Sequence, residues 1–197
     1  MVPLRKNALV WAVVTLLVIF GAFYAATTIY KPTKYRTLTY NHFDFVHAGG
    51  LWNTQWQKGD IIYNLRLRYN PAQLENISIS GYFDPAFNRP NIYVTFDPRE
   101  GNFTTLSLAA AELSINMIQA IGATPIPACS YNDSTVCDGR PIITCGEANK
   151  SVIFLAGTGD GAVAARGECI VLYGEGFEVL KAVDRLLYAW YKIMPVQ

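Results

Sequence analysis

One stretch limits what this chain can become: "NALVWAVVTLLVIFGAFYAATTIY". From Ala8 to Ile29 it holds neither a charge nor a proline. About 20 apolar residues cross a bilayer as a helix. A cleaved secretory signal has a shorter apolar run and ends in a small-x-small site. Here the best exit, "FYAAT", places a bulky Phe23 or Tyr24 at the −3 position. The stretch therefore reads as an uncleaved anchor. Trp11 and Tyr30 suit the headgroup region near its two ends.

Arg5 and Lys6 flank the start of the span, and Lys31, Lys34 and Arg36 flank its end, so a count of basic residues does not orient it. A short basic tail ahead of a single span stays in the cytoplasm. The expected layout is a cytoplasmic tail at 1–7, a transmembrane helix at 8–30, a basic linker at 31–37 and an extracytoplasmic domain at 38–197, with a sub-boundary near 88. The first partner is then the lipid bilayer, through residues 8–30, and the location is the cell membrane with a single pass.

Two further features point outward. Asn-x-Ser/Thr occurs at Asn76, Asn102, Asn132 and Asn149, and none of these has a middle proline, so all four are glycosylation candidates. The four cysteines Cys129, Cys137, Cys145 and Cys169 are spaced too widely for a zinc knuckle and lack the Cys-x-x-Cys of a thioredoxin-like site. An even count in an exported domain reads as two disulfides. Three pairings exist. Cys129–Cys137 with Cys145–Cys169 is favoured, because the first closes a local loop and the second ties that loop to a core strand. In the chain-entropy model such loops stabilise by roughly 2.6 and 3.5 kcal/mol.

The exported part reads as β-rich and then mixed. "IIYNLRLRY" alternates with period two: Ile61, Tyr63, Leu65, Leu67 and Tyr69 share one face, and Arg66 and Arg68 share the other. Lys58-Gly59-Asp60 joins it to "LWNTQWQ" as a hairpin, with Trp52 and Trp56 on the core face. "NISIS" and "NIYVTF" are further strands. "TTLSLAAAELSINMIQAIG" has Leu106, Ala110, Leu113, Met117, Ile118 and Ile121 at helical spacing, with Thr104 or Thr105 as its cap and Gly122 as its stop. "SVIFLAG" and "ECIVLYG" read as buried strands. The closing helix carries an apolar stripe from Phe177 through Leu180, Val183, Leu187, Trp190 and Tyr191 to Met194, with Lys181, Asp184 and Arg185 on its wet side. The fold class is α+β: an amino-terminal transmembrane helix, then an antiparallel β-rich segment merging into a β-α-loop-β-β-α domain with two disulfides.

No catalytic constellation is visible, and no cofactor or metal site is expected. Gly157, Gly159 and Gly161 follow a strand, but a dinucleotide fingerprint needs G-x-G-x-x-G opening a helix, so the run reads as a connection between strands. His42 and His47 fall on opposite faces of a continuous strand. Asp44 shares the face of His42, as a mixed polar surface strand would also place it. Asp160 offers a lone carboxylate. Arg66 and Arg68 belong to a solvated sheet face. A formal net charge of +1 gives no reason to invoke nucleic acid.

"TYNHFDFVHAGGLWNTQW", leading into "IIYNLRLRYNP", and "CIVLYGEGFEVLKAVDRLLYAWYKIM" resemble the opening and closing segments of a group of archaeal single-span, membrane-anchored envelope proteins with no assigned activity. The resemblance implies an anchored, outward-facing envelope domain and carries over no site residue. The expected function is a non-enzymatic envelope or interaction protein, a subunit of a surface or membrane assembly whose partners are other envelope or membrane proteins or further copies of itself. The alternative is an enzyme acting on cell-surface glycan or peptide through a polar cleft. A pilin-like filament subunit is third, although Asn7 stands where a prepilin cut needs a small residue.

Overall fold

The computed structural model describes residues 5–29, 35–84, 87–100, 103–132 and 135–196. Met1–Tyr35 and Arg36–Gln197 are separate compact units. The first is one helix, α1 (Arg5–Ile29), about 37 Å long at 1.5 Å per residue. Its segment Val10–Thr27 is long and apolar enough to cross a membrane and buries none of its side chains within the protein.

The second unit opens with a four-stranded antiparallel meander: β1 (Arg36–Tyr40), β2 (Phe43–Ala48), β3 (Leu51–Lys58) and β4 (Ile61–Leu67). Its tight turns follow from local chemistry. Asn41-His42 and Gly49-Gly50 both have positive φ at each residue, the conformation that matches strand twist in a two-residue hairpin. The strand begins at Arg36, so the expected linker at 31–37 gives up its last two residues to the sheet.

A 3-10 turn (Pro71–Leu74), closed by reciprocal bonds between Asn70 and Gln73, then carries the chain to a second sheet. That sheet has six strands in the order β5-β9-β10-β8-β6-β7: β5 (Ser78–Gly81), β6 (Asn91–Phe96), β7 (Thr124–Pro127), β8 (Ser151–Ala156), β9 (Ala162–Arg166) and β10 (Cys169–Tyr173). β10, β8, β6 and β7 run parallel, whereas β9 and β5 oppose them. The switch between sheets falls between Leu67 and Ser78 rather than near 88. β9 lies inside the glycine run read as a connection. Its sequence, Ala-Val-Ala-Ala-Arg, has little β-propensity, and pairing on both sides makes it a strand.

Helices α2 (Phe103–Ala120) and α3 (Glu178–Trp190) form the middle layer. One core unites Phe45, Leu65 and Leu67 of the first sheet with Leu113 and Met117 of α2, Leu186 and Tyr188 of α3, and Ile92, Ile153 and Leu172 of the second sheet. Because sheet residues meet α3 from two sides, it has no wet face, and every residue from Ala182 to Ala189 is buried. Asp184 and Arg185, expected in water, are 1% and 2% exposed, while Phe177, expected inside, is 61% exposed. Ile118 of α2 is likewise turned outward, at 59%. Gly122, with φ of +70°, ends that helix as expected. Thr104 and Thr105 lie inside it rather than capping it.

The far face of the six-stranded sheet is covered by the loop of residues 128–150. Ala128, Ile143, Val152, Ala156, Cys169 and Val171 make a second, smaller core there.

Candidate functional site

The four cysteines pair as expected, Cys129–Cys137 and Cys145–Cys169. The second bond reaches the first residue of β10, so it fastens the loop to a central strand. Backbone bonds fix the other end of the loop. Ala128 and Ser130 donate to Val94 and Phe96 at 2.9 and 3.0 Å, and the buried Thr95 hydroxyl donates to Ile143 at 2.9 Å. The loop is therefore a seated cover whose thiols are all spent, leaving no free cysteine for metal or redox work.

A concavity of about 700 Å³, open to solvent, lies on the outer face of the first sheet. His42, Asp44, Val46, Asn53, Gln55, Gln57, Ile62, Asn64 and Arg66 are among its lining. Strand alternation explains most of this set: Phe45 and Leu65 turn to the core, so their neighbours Asp44, Val46, Asn64 and Arg66 turn outward, while Phe43, Thr54 and Trp56 of the inner side also border the concavity. Part of its polar capacity is used internally. Thr39 donates to Asp44 at 2.7 Å, and the Asn53 amide donates to Leu51 at 3.0 Å. Amides, an imidazole, a hydroxyl, one guanidinium and one carboxylate on an open sheet can bind by hydrogen bonding.

No protein-family model, curated protein or solved structure matches the chain.

The remaining sequence candidates are dispersed. His42 sits in the first hairpin turn, with φ of +69°, so it is not on the strand that carries His47. His47 packs on the ring of Trp52 at 5.0 Å on the inner side. Both His42 and Asp44 line the concavity, His42 from the turn rather than from a strand face shared with Asp44. Arg66 is on the open face, but Arg68 is not: it leaves the strand end to pair with Glu112 of α2. Among the described residues, no three His, Cys, Asp or Glu side chains gather to hold a metal ion.

The glycine run has a packing explanation. Gly157 donates its N–H to Glu100, and a side chain at Gly161 would strike Ile77. Of the sequons, Asn76 is exposed beside edge strand β5, with Ser78 also exposed. Asn149 is exposed, but its Ser151 is buried and donates to Phe87 at 2.8 Å. Asn132 is exposed and its Ser134 lies outside the described residues, as does Asn102.

A buried polar cluster that no sequence pattern marks lies where α3 meets the chain just after β4. Asp184 accepts from the Tyr69 N–H at 2.8 Å, and the Tyr188 hydroxyl donates to the Tyr69 carbonyl at 2.8 Å. Burial pushes the Asp184 carboxyl up to about 8 and the nearby Glu112 charge adds to this; the Tyr69 N–H and Arg68 oppose it. Its second oxygen has no hydrogen-bond partner, which suits a protonated acid. Arg185 is held by the carbonyls of Ile77 and Pro195 at 3.2 and 2.7 Å, and burial lowers its pKa. The helical repeat predicts a solvent face wherever polar residues cluster; only the path of the segment that links the two sheets, through Tyr69 and Ile77, reveals that this face is covered.

Proposed function

We propose that this chain is a membrane-anchored extracytoplasmic protein that works by binding: a non-enzymatic subunit of an envelope or membrane assembly. The observation that carries the reading is the pair of disulfides seating residues 128–150, in a chain whose amino-terminal helix is long and apolar enough to span a bilayer. Such bonds persist in oxidising compartments and are rare in the cytosol. The reading keeps α1 in the bilayer, places the domain from Arg36 onward outside, and gives Asn76 the most accessible of the described sequons. It also accommodates the likeness to archaeal single-span envelope proteins. The polar outer face of the first sheet is a recognition surface in this scheme.

The test is peptide mass spectrometry on protein from its native membrane, alkylated without reduction, together with crosslinking in that membrane. Two linked cysteine pairs and a defined crosslinked neighbour are expected. Free thiols would reverse the topology, and a chain with no neighbour would end the assembly role.

A further inference from the structure

The two disulfides differ in their access to solvent. Cys129 and Cys137 are 0% and 2% exposed. Cys169 is 5% exposed, but its partner Cys145 is an exposed residue. The bonds also hold different things. Up to Ile143 the loop is seated without help from Cys145: the Cys129 N–H donates to Pro141 at 3.1 Å, the Ile143 N–H donates to Cys129 at 2.8 Å, and the Thr95 hydroxyl donates to Ile143. From Thr144 to Lys150, among the described residues, no backbone hydrogen bond reaches another element. Five of these seven residues are exposed, so the segment buries little of itself. Lys150 pairs with Glu147 inside the segment and lies over the Tyr93 ring, 5.6 Å from its centroid. The Cys145–Cys169 bond is what fastens the middle of the segment to β10.

A disulfide opens when a thiolate attacks one sulfur from the side opposite the other, so access governs the rate, and exposed bonds are the labile and regulatory ones. A thiolate can approach Cys145, with Cys169 as the leaving sulfur, whereas both ends of Cys129–Cys137 are enclosed. Burial makes Cys169 a poor leaving thiolate, but the same holds for either end of the other bond. We propose that Cys145–Cys169 is a redox latch: a dithiol reductant opens it while Cys129–Cys137 stays closed, and residues 144–150 lift off β8 and β10 as a strap. The reactive group is the bond, not a free thiol. The first thiolate forms a mixed disulfide with Cys145 as the bond to Cys169 breaks. Its electron pair leaves on the Cys169 sulfur, which takes a proton from water. The second thiolate of the reductant then attacks its own sulfur in the mixed disulfide, and Cys145 leaves and is protonated. The dithiol is oxidised by two electrons to a cyclic disulfide, and the protein gains two thiols. Beneath the strap lie Val152 and Val171, with Tyr93, Phe154 and Tyr173 packed beside them, so the latch governs access to an apolar strip of the sheet. This goes beyond the assembly reading and shares with it only the oxidising compartment.

The experiment adds graded dithiothreitol to the oxidised full chain in detergent micelles, alkylates the thiols that form and maps them by peptide mass spectrometry. Cys145 and Cys169 should take label about tenfold faster than Cys129 and Cys137. Cleavage after Glu147 by a glutamyl endopeptidase should rise in step with that label and fall back on reoxidation. Tryptophan fluorescence should stay unchanged, since Trp52, Trp56 and Trp190 pack on the main core. Cys145→Ser with Cys169→Ser should be cut at the raised rate without reductant, and Cys129→Ser with Cys137→Ser should keep the response. Four cysteines labelled together, Cys129 and Cys137 labelled first, or unchanged cleavage once Cys145 and Cys169 carry label would overturn the proposal. The parent chain alone decides this, so a variant that fails to fold does not leave it open. In protein alkylated straight from its native membrane, four free thiols would remove the exported reading and this one together. Two linked pairs that open together in dithiothreitol would remove this one alone.

Discussion

The six-stranded sheet is covered on its two faces by different means. On one face, α2 and α3 bury large side chains such as Leu113, Met117, Leu186 and Tyr188, and the four-stranded sheet closes over them. On the other, the described residues of the 128–150 loop contribute only Ala128 and Ile143 to a small core, yet the loop is crosslinked twice. A loop without regular structure buries too little apolar surface to offset the entropy of ordering it. Disulfides lower that cost by restricting the unfolded chain. The helical side is held by packing and the loop side by covalent restraint, so each should fail under different treatment.

The largest expected effect is a pH dependence confined to the helical side. Below about pH 4 the Asp184 carboxyl is protonated in both the folded and the unfolded chain. Between pH 4 and about 8 the unfolded chain ionises while the folded one keeps its proton, so stability falls by up to ~1.4 kcal/mol per pH unit. Above pH 8 the loss levels off. Urea melts across this range should show the slope in the parent and a flatter profile in Asp184→Asn, which is shaped like the protonated acid. An equal slope in both would remove Asp184 from the account.

Next in size is Tyr188→Ala. It empties a site packed on Phe45, with ring centroids 5.9 Å apart, and deprives the Tyr69 carbonyl of its donor. A loss of about 3–5 kcal/mol is expected in chemical denaturation, with the oxidised loop unable to compensate.

The loop side answers to thiol chemistry. Replacing Cys145 and Cys169 by serine should cost about 3.5 kcal/mol in the chain-entropy model, and Cys129 with Cys137 about 2.6. Limited proteolysis checks the distinction: cleavage should appear first within 128–150 while the helices stay protected. If α2 were cut as early as the loop, the two covers would not be independent.

These two sides were not equally legible in the sequence. In the loop, cysteine spacing speaks against metal and redox sites and chain connectivity favours the pairing that the structure has. In the first sheet the alternation of "IIYNLRLRY" reports a buried face at Leu65 and Leu67, whereas Ile61 at the hairpin end is 57% exposed and Arg68 leaves the open face to pair with Glu112. The helical side was misread where burial comes from a distance. Asp184 and Arg185 break the apolar stripe of α3, and only the presence of a sheet on each side makes them interior. Ile118 fits the helical repeat of the inner stripe but lies on the exposed side of α2, with Ile115. β9 has no signature in the sequence because alanines pair there only under the direction of β5 and β10.

The smallest expected effect lies at Ser151, where the comparison meets the sequon question. Ser151 opens β8, the strand whose Ile153 and Leu155 face the helices while Val152 and Ala156 face the loop. Its hydroxyl is fully buried and donates to the Phe87 carbonyl. Ser151→Ala should therefore cost about 1–2 kcal/mol, the price of a buried acceptor left without its donor. The neighbouring Asn149 has φ of +62°, a conformation that asparagine tolerates better than most residues. Turn geometry and a buried hydrogen bond thus account for both ends of that sequon without a glycan. Asn76, whose Ser78 is exposed, has no such explanation. Peptide mapping of the native protein should accordingly find any sugar at Asn76 in preference to Asn149. Ser151→Ala should lower the melting temperature without altering the glycan pattern, and a lost glycoform in that variant would restore Asn149 as a modified site.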